Sequence, residues 1–389
     1  MITRITIENY KSIRKLDLEL GRLNVFIGEN GCGKTNILEA VALGSAAAQG
    51  RLANEFLAAR GIRVTAADLM RSAFETDGPP NIVVVSWMTE EPTRFTLTPV
   101  ETPAGIEWLE LSRTALSEEL SRALAHRAAI LVDEPEVHLH PDTARRILEL
   151  LSGLSTARRD ARAATATASS PQASFLLYAP ENSFLRRFEE EGQILPLGSK
   201  GEGLLAHLQS LAAQQDAPAI GEINEHLSLL DWFETLQVPD KDQAGRALRI
   251  RDRYLPEGIV FDQRSANEGF LFLLFYFTLF ASPHTPKFFA IDNVDASLNP
   301  KMCAALMRSM VDLAKKHDKQ AIVTTHNPSL LDGLDLTDDE QRLFVVSRGV
   351  DGDTRIHRVE APRSMPGTTP VLLSEAFTRG YIGGLPKNF

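Results

Sequence analysis

Residues 28–35 read Gly-Glu-Asn-Gly-Cys-Gly-Lys-Thr, the pattern G-x-x-x-x-G-K-T. The glycines Gly28, Gly31 and Gly33 let the backbone curl until successive N–H groups point inward, as phosphate oxygens require. Lys34 sets a flexible positive charge at β- and γ-phosphates, and the Thr35 hydroxyl offers a Mg²⁺ ligand. Glu29, Asn30 and Cys32 complete the loop. A helix opening behind it aims its N-terminal dipole at the same anion. The flanks agree. Leu23-Asn24-Val25-Phe26-Ile27 is an apolar run of strand type, and Asn36 to Ala48 is a helix rich in Ala, Ile and Leu. Strand, loop and helix together predict a nucleotide-binding α/β fold.

Bulk properties narrow the class. The chain of 389 residues is long enough for about two or three domains with ample core. Its net charge of -10 gives no global positive field, so any DNA contact must come from a local patch. Of the two cysteines, Cys32 lies inside the phosphate loop, which argues against a disulfide and fits a reducing cytoplasm. The first residues, Met-Ile-Thr-Arg-Ile-Thr-Ile, read as a strand and not as a secretion signal. The most apolar run, Phe270 to Phe280, is shorter than the ~20 residues that span a bilayer. It predicts a core helix and no membrane partner.

Along the chain, Ile5 and Ile7, then Leu16, Leu18 and Leu20, alternate with polar residues as half-buried strands do. Two strands therefore precede the one that carries the loop. From about Gly50 to Leu120 the pattern is mixed. It predicts a helix over 51–60, strands near 81–87, 94–98 and 106–110, and a helix over 116–126. Ala128 to Val132 is an apolar strand ending on Asp133-Glu134, the way a Mg²⁺-coordinating aspartate and a water-activating glutamate are presented beside a phosphate loop. His138 and His140 follow, at no standard zinc spacing. Residues 155–174 are rich in Ala, Thr, Ser and Arg and read as a flexible segment. Helices are predicted over 204–213 and 220–235. Arg246, Arg249, Arg251 and Arg253 form a basic strip, read as a solvated sheet face or a phosphate-backbone contact. Arg264-Ser265-Ala266-Asn267-Glu268-Gly269 runs into the apolar helix. Phe288 to Ile291 is a strand ending on Asp292-Asn293, with Asp295 two residues on. Gln320 to Thr325 is a strand ending on His326, and Leu343 to Val346 is a last strand.

These residues, above all Ile7-Glu8-Asn9-Tyr10-Lys11-Ser12-Ile13 ahead of the loop and the order loop, Ser265 segment, acidic strand, histidine, resemble the ATP-binding-cassette ATPases of the RecF/SMC/OLD kind, a bacterial AAA family group related to anti-phage ATPases. The resemblance runs through residues 1–45 and 258–348. It implies an α/β P-loop NTPase of ABC/SMC-head type, built from residues 1–50 and 258–360, with an inserted α+β lobe over 51–257 and a tail over 361–389. It implies that Gly28 to Thr35 hold ATP and Mg²⁺, and that Ser265 to Gly269 cap the γ-phosphate bound by another subunit. It implies that Asp292 supports Mg²⁺, that Ala296-Ser297-Leu298 cross the dimer interface, and that His326 contacts the γ-phosphate. The expected assembly is a head-to-tail homodimer or higher oligomer, with DNA or a separate nuclease as partner.

Two departures matter. The family's catalytic glutamate follows the aspartate, and here Asn293 stands in that place, so the expectation is either slow hydrolysis or Asp295 as a substitute base. The Ser265 segment has Ala266 and Asn267 where paired glycines are usual. Asp133-Glu134 is a second acidic motif, sharing D-x-x-x-x-x-L-x-P with the stretch from Asp292. Asp292 is preferred, because the Ser265 segment precedes it and a strand ending on histidine follows. In the alternative, Glu134 is the base.

Overall fold

The computed structural model describes residues 1–65, 67–74, 83–88, 93–102, 105–115, 174–187, 194–239, 247–361 and 371–384. The strands β1 (Arg4–Tyr10), β2 (Ile13–Glu19) and β3 (Leu23–Ile27) lead into helix α1 (Lys34–Ala48). Short helices α2 (Asn54–Ala59) and α3 (Ala67–Met70) precede β4 (Val83–Met88), β5 (Thr93–Thr102) and β6 (Gly105–Ala115). Then come β7 (Leu176–Tyr178), α4 (Asn182–Leu185), α5 (Leu204–Ala212), α6 (Pro218–Leu227), β8 (Phe233–Gln237) and β9 (Arg249–Asp252). The last third holds α7 (Glu268–Ala281), β10 (Phe288–Ile291), α8 (Pro300–Lys316), β11 (Gln320–Thr325), a 3-10 turn over Pro328–Gly333, β12 (Gln341–Arg348), β13 (Thr354–Val359) and α9 (Leu373–Thr378).

Two main sheets sandwich α1. One is antiparallel, in the order β2-β1-β4-β5-β6. The other runs β13-β12-β3-β11-β10-β7 and is parallel except for β13. Because side chains alternate across a strand, β3 feeds two cores. Phe26 joins α1 and the antiparallel sheet on one face, while Val25 and Ile27 join α7 and α8 on the other. Parallel strands covered on both faces are apolar along most of their length, and β3, β10 and β11 are buried throughout, with β10 wholly apolar and β3 and β11 carrying buried Asn24, Gln320, Thr324 and Thr325. Helix α1 is buried nearly all round and uses small residues to fit between the sheets. A Cβ added to Gly44 would lie 2.6 Å from Trp87 Nε1 on β4. Helix α7 is buried from Phe270 to Ala281, as its composition predicts. Among the described residues no helix is long and apolar enough to cross a membrane. Cys32 and Cys303 are buried free thiols.

Several expectations change. The helix expected over 220–235 ends at Leu227, and Phe233–Gln237 is instead strand β8, paired antiparallel with β9. Phe233 and Leu236 face inward there while Glu234 faces out. Strand β13, which sequence did not predict, pairs with β12. The boundary expected at residue 50 does not divide the sheets: β4 pairs with β1, and β7 pairs with β10. The tail is partly structured, with Ser374 hydrogen-bonded to Asp332 through its N–H (2.9 Å) and hydroxyl (2.6 Å). The helix expected over 116–126, Asp133-Glu134, His138, His140 and nearly all of the 155–174 segment lie outside the described residues.

Under the C-terminal end of α7, His207 meets the Ser282 hydroxyl at 2.8 Å and faces His284 and Lys319. Burial, reinforced by those two groups, pushes its pKa down to about 4. The unfolded chain then takes up a proton near pH 6.5 that the folded chain refuses until about pH 4, so stability is complete above 6.5 and falls with pH across that window. Urea denaturation at pH 7 and pH 4.5 should show His207→Leu losing less stability on acidification than the wild type, the difference reaching up to ~3 kcal/mol.

Candidate nucleotide site

The phosphate loop connects β3 to α1, and its turn depends on two left-handed residues, Gly31 (φ 76°) and Gly33 (φ 108°). Neighbouring segments clasp it. The Asn36 amide donates to the Ser12 hydroxyl (2.7 Å), Ser12 meets the Thr354 hydroxyl (2.7 Å), and Thr354 donates to the Cys32 carbonyl (3.0 Å). The Arg348 guanidinium donates to the Gly31 carbonyl at 2.9 Å. Beneath α1, the buried Glu39 carboxylate holds Lys11 (2.5 Å) and Arg63 (2.6 Å). A fully buried carboxylate needs such partners.

Lys34 is only 4% exposed. Its ammonium donates to the carbonyls of Gly28 (2.8 Å) and Glu29 (3.0 Å) and lies 3.2 Å from His326 Nδ1. Burial lowers the Lys34 pKa from its ordinary value. Burial and the Lys34 charge also lower that of His326, whose Nδ1 sits 3.1 Å from the Gly28 carbonyl. The Thr35 hydroxyl donates to Asp292 Oδ2 at 2.8 Å. The other Asp292 oxygen accepts from the Thr324 hydroxyl, which also receives the Asn293 N–H at 2.9 Å. The Asp292 N–H donates to the Tyr178 carbonyl at 2.8 Å. Two hard oxygen donors, Thr35 Oγ1 and Asp292 Oδ2, thus converge where Mg²⁺ would fit.

Asn293 is exposed and left-handed (φ 54°), a conformation Asn tolerates. Asp295 is half-buried, and among the described residues its Oδ1 is buried without a hydrogen-bond partner. The charge of Asp295 is close enough to offset a small part of the lowering at both Lys34 and His326. The loop, Asp292, Asp295 and His326 are therefore gathered at one end of the parallel sheet. Ser265 and Gly269 are not gathered with them. Ser265 is exposed ahead of α7, and its N–H goes to Asp262 (3.2 Å). Asn267 caps α7 by accepting from the Phe270 N–H at 2.8 Å. Sequence reasoning missed Thr324, Thr354 and Arg348. Ser12 lies inside the quoted N-terminal stretch, but Thr354 and Arg348 reach the loop only through the β12–β13 hairpin.

Comparison with known proteins is consistent with this geometry. Residues 1–44 match the family model described as AAA ATPase domain. Residues 237–332 match the AAA domain model described as putative AbiEii toxin, Type IV TA system. Over 42 residues the chain is 50% identical to the DNA replication and repair protein RecF of Phocaeicola vulgatus, a match spanning 10% of this chain and 11% of that protein. An SMC head solved with the C-winged helix domain of ScpA superposes with a TM-score of 0.55 at 16% identity, covering 94% of this chain and 99% of the other. The chain has the fold of an SMC-type P-loop ATPase head, and two of its stretches are similar to AAA domains. An SMC head domain from Thermotoga maritima is similar at 15% identity and a TM-score of 0.43, covering 92% of this chain and 99% of that one.

In this head the loop's glycines are unequal. A Cβ on Gly33 would meet Thr354 Oγ1 at 2.1 Å, whereas one on Gly31 would meet nothing within 4 Å. Both positions are left-handed. Gly31→Ala should cost about 1 kcal/mol of backbone strain. Gly33→Ala, adding a clash to the strain, should cost about 2–4 kcal/mol. Thermal denaturation of the two variants checks the ranking.

Proposed function

We propose that this head binds ATP with Mg²⁺ between Gly28 and Thr35, closes on a second copy head to tail, and hydrolyses the nucleotide slowly. The observation that carries the proposal is the convergence of Lys34, Thr35, Asp292 and His326 from three parallel strands. The inward N–H groups of the loop and the Lys34 ammonium hold the β- and γ-phosphates. Thr35 and Asp292 hold Mg²⁺, which when bound neutralises developing phosphate charge. His326, kept neutral by burial and by Lys34, donates one hydrogen bond toward the γ-phosphate. The Asn293 amide cannot take a proton from water. Asp295, with one oxygen uncommitted, is the carboxylate available as base. Ser265 and Gly269 make no hydrogen bond to the loop of their own chain among the described residues, which fits a role toward the nucleotide of a second copy.

The likeness to a DNA replication and repair protein supports a DNA-linked role, and a phage-defence role beside a separate nuclease is the finer form in which we propose it. A RecF-like DNA clamp has less support, because two arginines of the basic strip are engaged: Arg251 pairs with Glu234 (2.8 Å) and Arg253 donates to the Phe233 carbonyl (2.8 Å). A second reading, an ATP-sensing scaffold that does not turn over, is favoured by Asn293.

Lys34→Ala should weaken Mg-ATP binding by about 100-fold or more. Asp292→Asn and Asp295→Asn should each lower turnover by about 10²–10⁴-fold, with nucleotide binding retained in Asp295→Asn. If Glu134→Gln abolishes turnover instead, the base lies in the middle of the chain. If the wild type binds ATP without turnover, the scaffold reading holds.

A further inference from the structure

The segment that follows β7 touches both halves of the candidate site. At one end the Tyr178 carbonyl accepts the Asp292 N–H. At the other, one half-buried side chain, Arg186, spreads its guanidinium over the turn that carries Ser265. Its Nη1 donates to the carbonyls of Gln263 (2.5 Å) and Arg264 (2.8 Å), and its Nη2 to that of Ala266 (2.9 Å). Its Nε donates to the Asn182 side chain at 2.9 Å. The rigid planar fork of Arg suits such a fan of acceptors, and no other side chain could reach them all. The chain of bonds continues. The Asn182 amide donates to Glu268 Oε1 (2.6 Å), and Glu268 Oε2 accepts from the Ser297 hydroxyl (2.8 Å). Ser297 is left-handed (φ 60°) and belongs to the loop that leaves Asp292. A strained residue of this kind persists only where its surroundings hold it. Gly269 makes the approach possible, since a Cβ there would already sit 3.1 Å from the Ser297 carbonyl.

We infer that Arg186 is a positioning residue. It fixes the backbone of the Ser265 turn and, through Asn182 and Glu268, locks that turn to the Ser297 loop, so that the two surfaces offered to a second copy move as one body with Asp292. The inference rests on the proposed reading of Ser265 as the face that meets a second copy's nucleotide. Arg186 itself touches no part of the phosphate loop among the described residues, so its removal leaves nucleotide capture alone and damages the assembly step.

The test uses the full chain with Mg²⁺ and the non-hydrolysable analogue AMP-PNP. Nucleotide affinity is measured by fluorescence titration, self-association by sedimentation, and loop order by amide hydrogen exchange over 262–270. In Arg186→Ala, nucleotide affinity should stay within about twofold of the wild type, while nucleotide-dependent self-association weakens by about tenfold or more. Exchange over 262–270 should rise, and exchange over 28–35 should not. Arg186→Lys, which keeps the charge but not the fork, should fall between the two. Self-association like the wild type in Arg186→Ala overturns the inference, as does a parallel loss of nucleotide affinity, which marks a merely structural role. A wild type that binds AMP-PNP and stays monomeric overturns the dimer reading and this inference with it. Exchange over 262–270 in Arg186→Ala that matches a normally associating wild type sinks the inference alone.

Discussion

The parallel pairing of β3 with β11 and β12 is what the remainder of the molecule depends on. Leu23 to Ile27 pair with Ala321 to Thr325 on one side and with Gln341 to Val345 on the other. All of β3 and β11 is buried, so the register is set by two packed faces at once. Parallel strands discharge their following loops at one edge of the sheet, where ligands of open α/β sheets bind. The phosphate loop after β3, Asp292 after β10 and His326 after β11 therefore meet, although the chain separates them widely. The buried Gln320 side chain fastens the other end. It donates to the carbonyls of Ile2 (2.7 Å) and Gly21 (2.8 Å) and accepts the Ile2 N–H (2.9 Å).

Around that frame, some buried polar groups are fully paired, while the hydroxyls of Tyr10, Tyr178 and Tyr276 and the Trp87 indole N–H have no hydrogen-bond partner among the described residues. The Glu39 carboxylate lies between Lys11 and Arg63, and Asn24 satisfies both ends of its amide against Gly21 and Ala321. Breaking one partner of a buried ion pair strands the other, which is why such groups define one loop geometry more sharply than apolar packing does. Lys319 is a further case: buried without a carboxylate partner among the described residues, it donates to the Thr285 carbonyl (2.9 Å) and hydroxyl (2.8 Å), and burial pushes its pKa down to about 7. Asp295 also has one oxygen left uncommitted among the described residues, near Lys34 and His326. Polar groups left unsatisfied at such a position are what chemistry on a bound ligand would use.

Helix α7 links packing to assembly. Its aromatic side chains are buried on every side, with Phe275 and Phe280 edge-to-face against Tyr178 and Phe289 and Phe270 tilted against Trp232 and Phe233. The helix has no freedom to turn about its axis, so the exposed Ser265 turn ahead of it is held in place by the core below. Asn293 separates two properties that a single strand end usually combines. The oxygen donors proposed for Mg²⁺ lie just after β10 and on α1, while the Asn293 amide that follows Asp292 cannot serve as a base.

Local pattern in the sequence was enough for the phosphate loop, for α1 and α7, and for the apolar strands β3, β10 and β11, because spacing, glycine placement and continuous apolar runs are properties of a few neighbouring residues. The order of motifs also led to a preference for Asp292 over Asp133, whose own surroundings lie outside the described residues. Local pattern misled at Phe233–Gln237, where apolar residues fit a helical spacing as well as an alternating one, and pairing with β9 decided for the strand. It was silent on β13, and on the sheet that joins β1 to β4 across the boundary drawn at residue 50. Tertiary structure alone decided that Thr35 and Thr324 both reach Asp292, that Thr354 and Arg348 hold the phosphate loop, and that Arg186 grips the Ser265 turn. Each of those contacts joins residues far apart in the chain. Their meeting is set by strand register and by which edge of a sheet a loop leaves, neither of which leaves a periodic trace in the residues themselves.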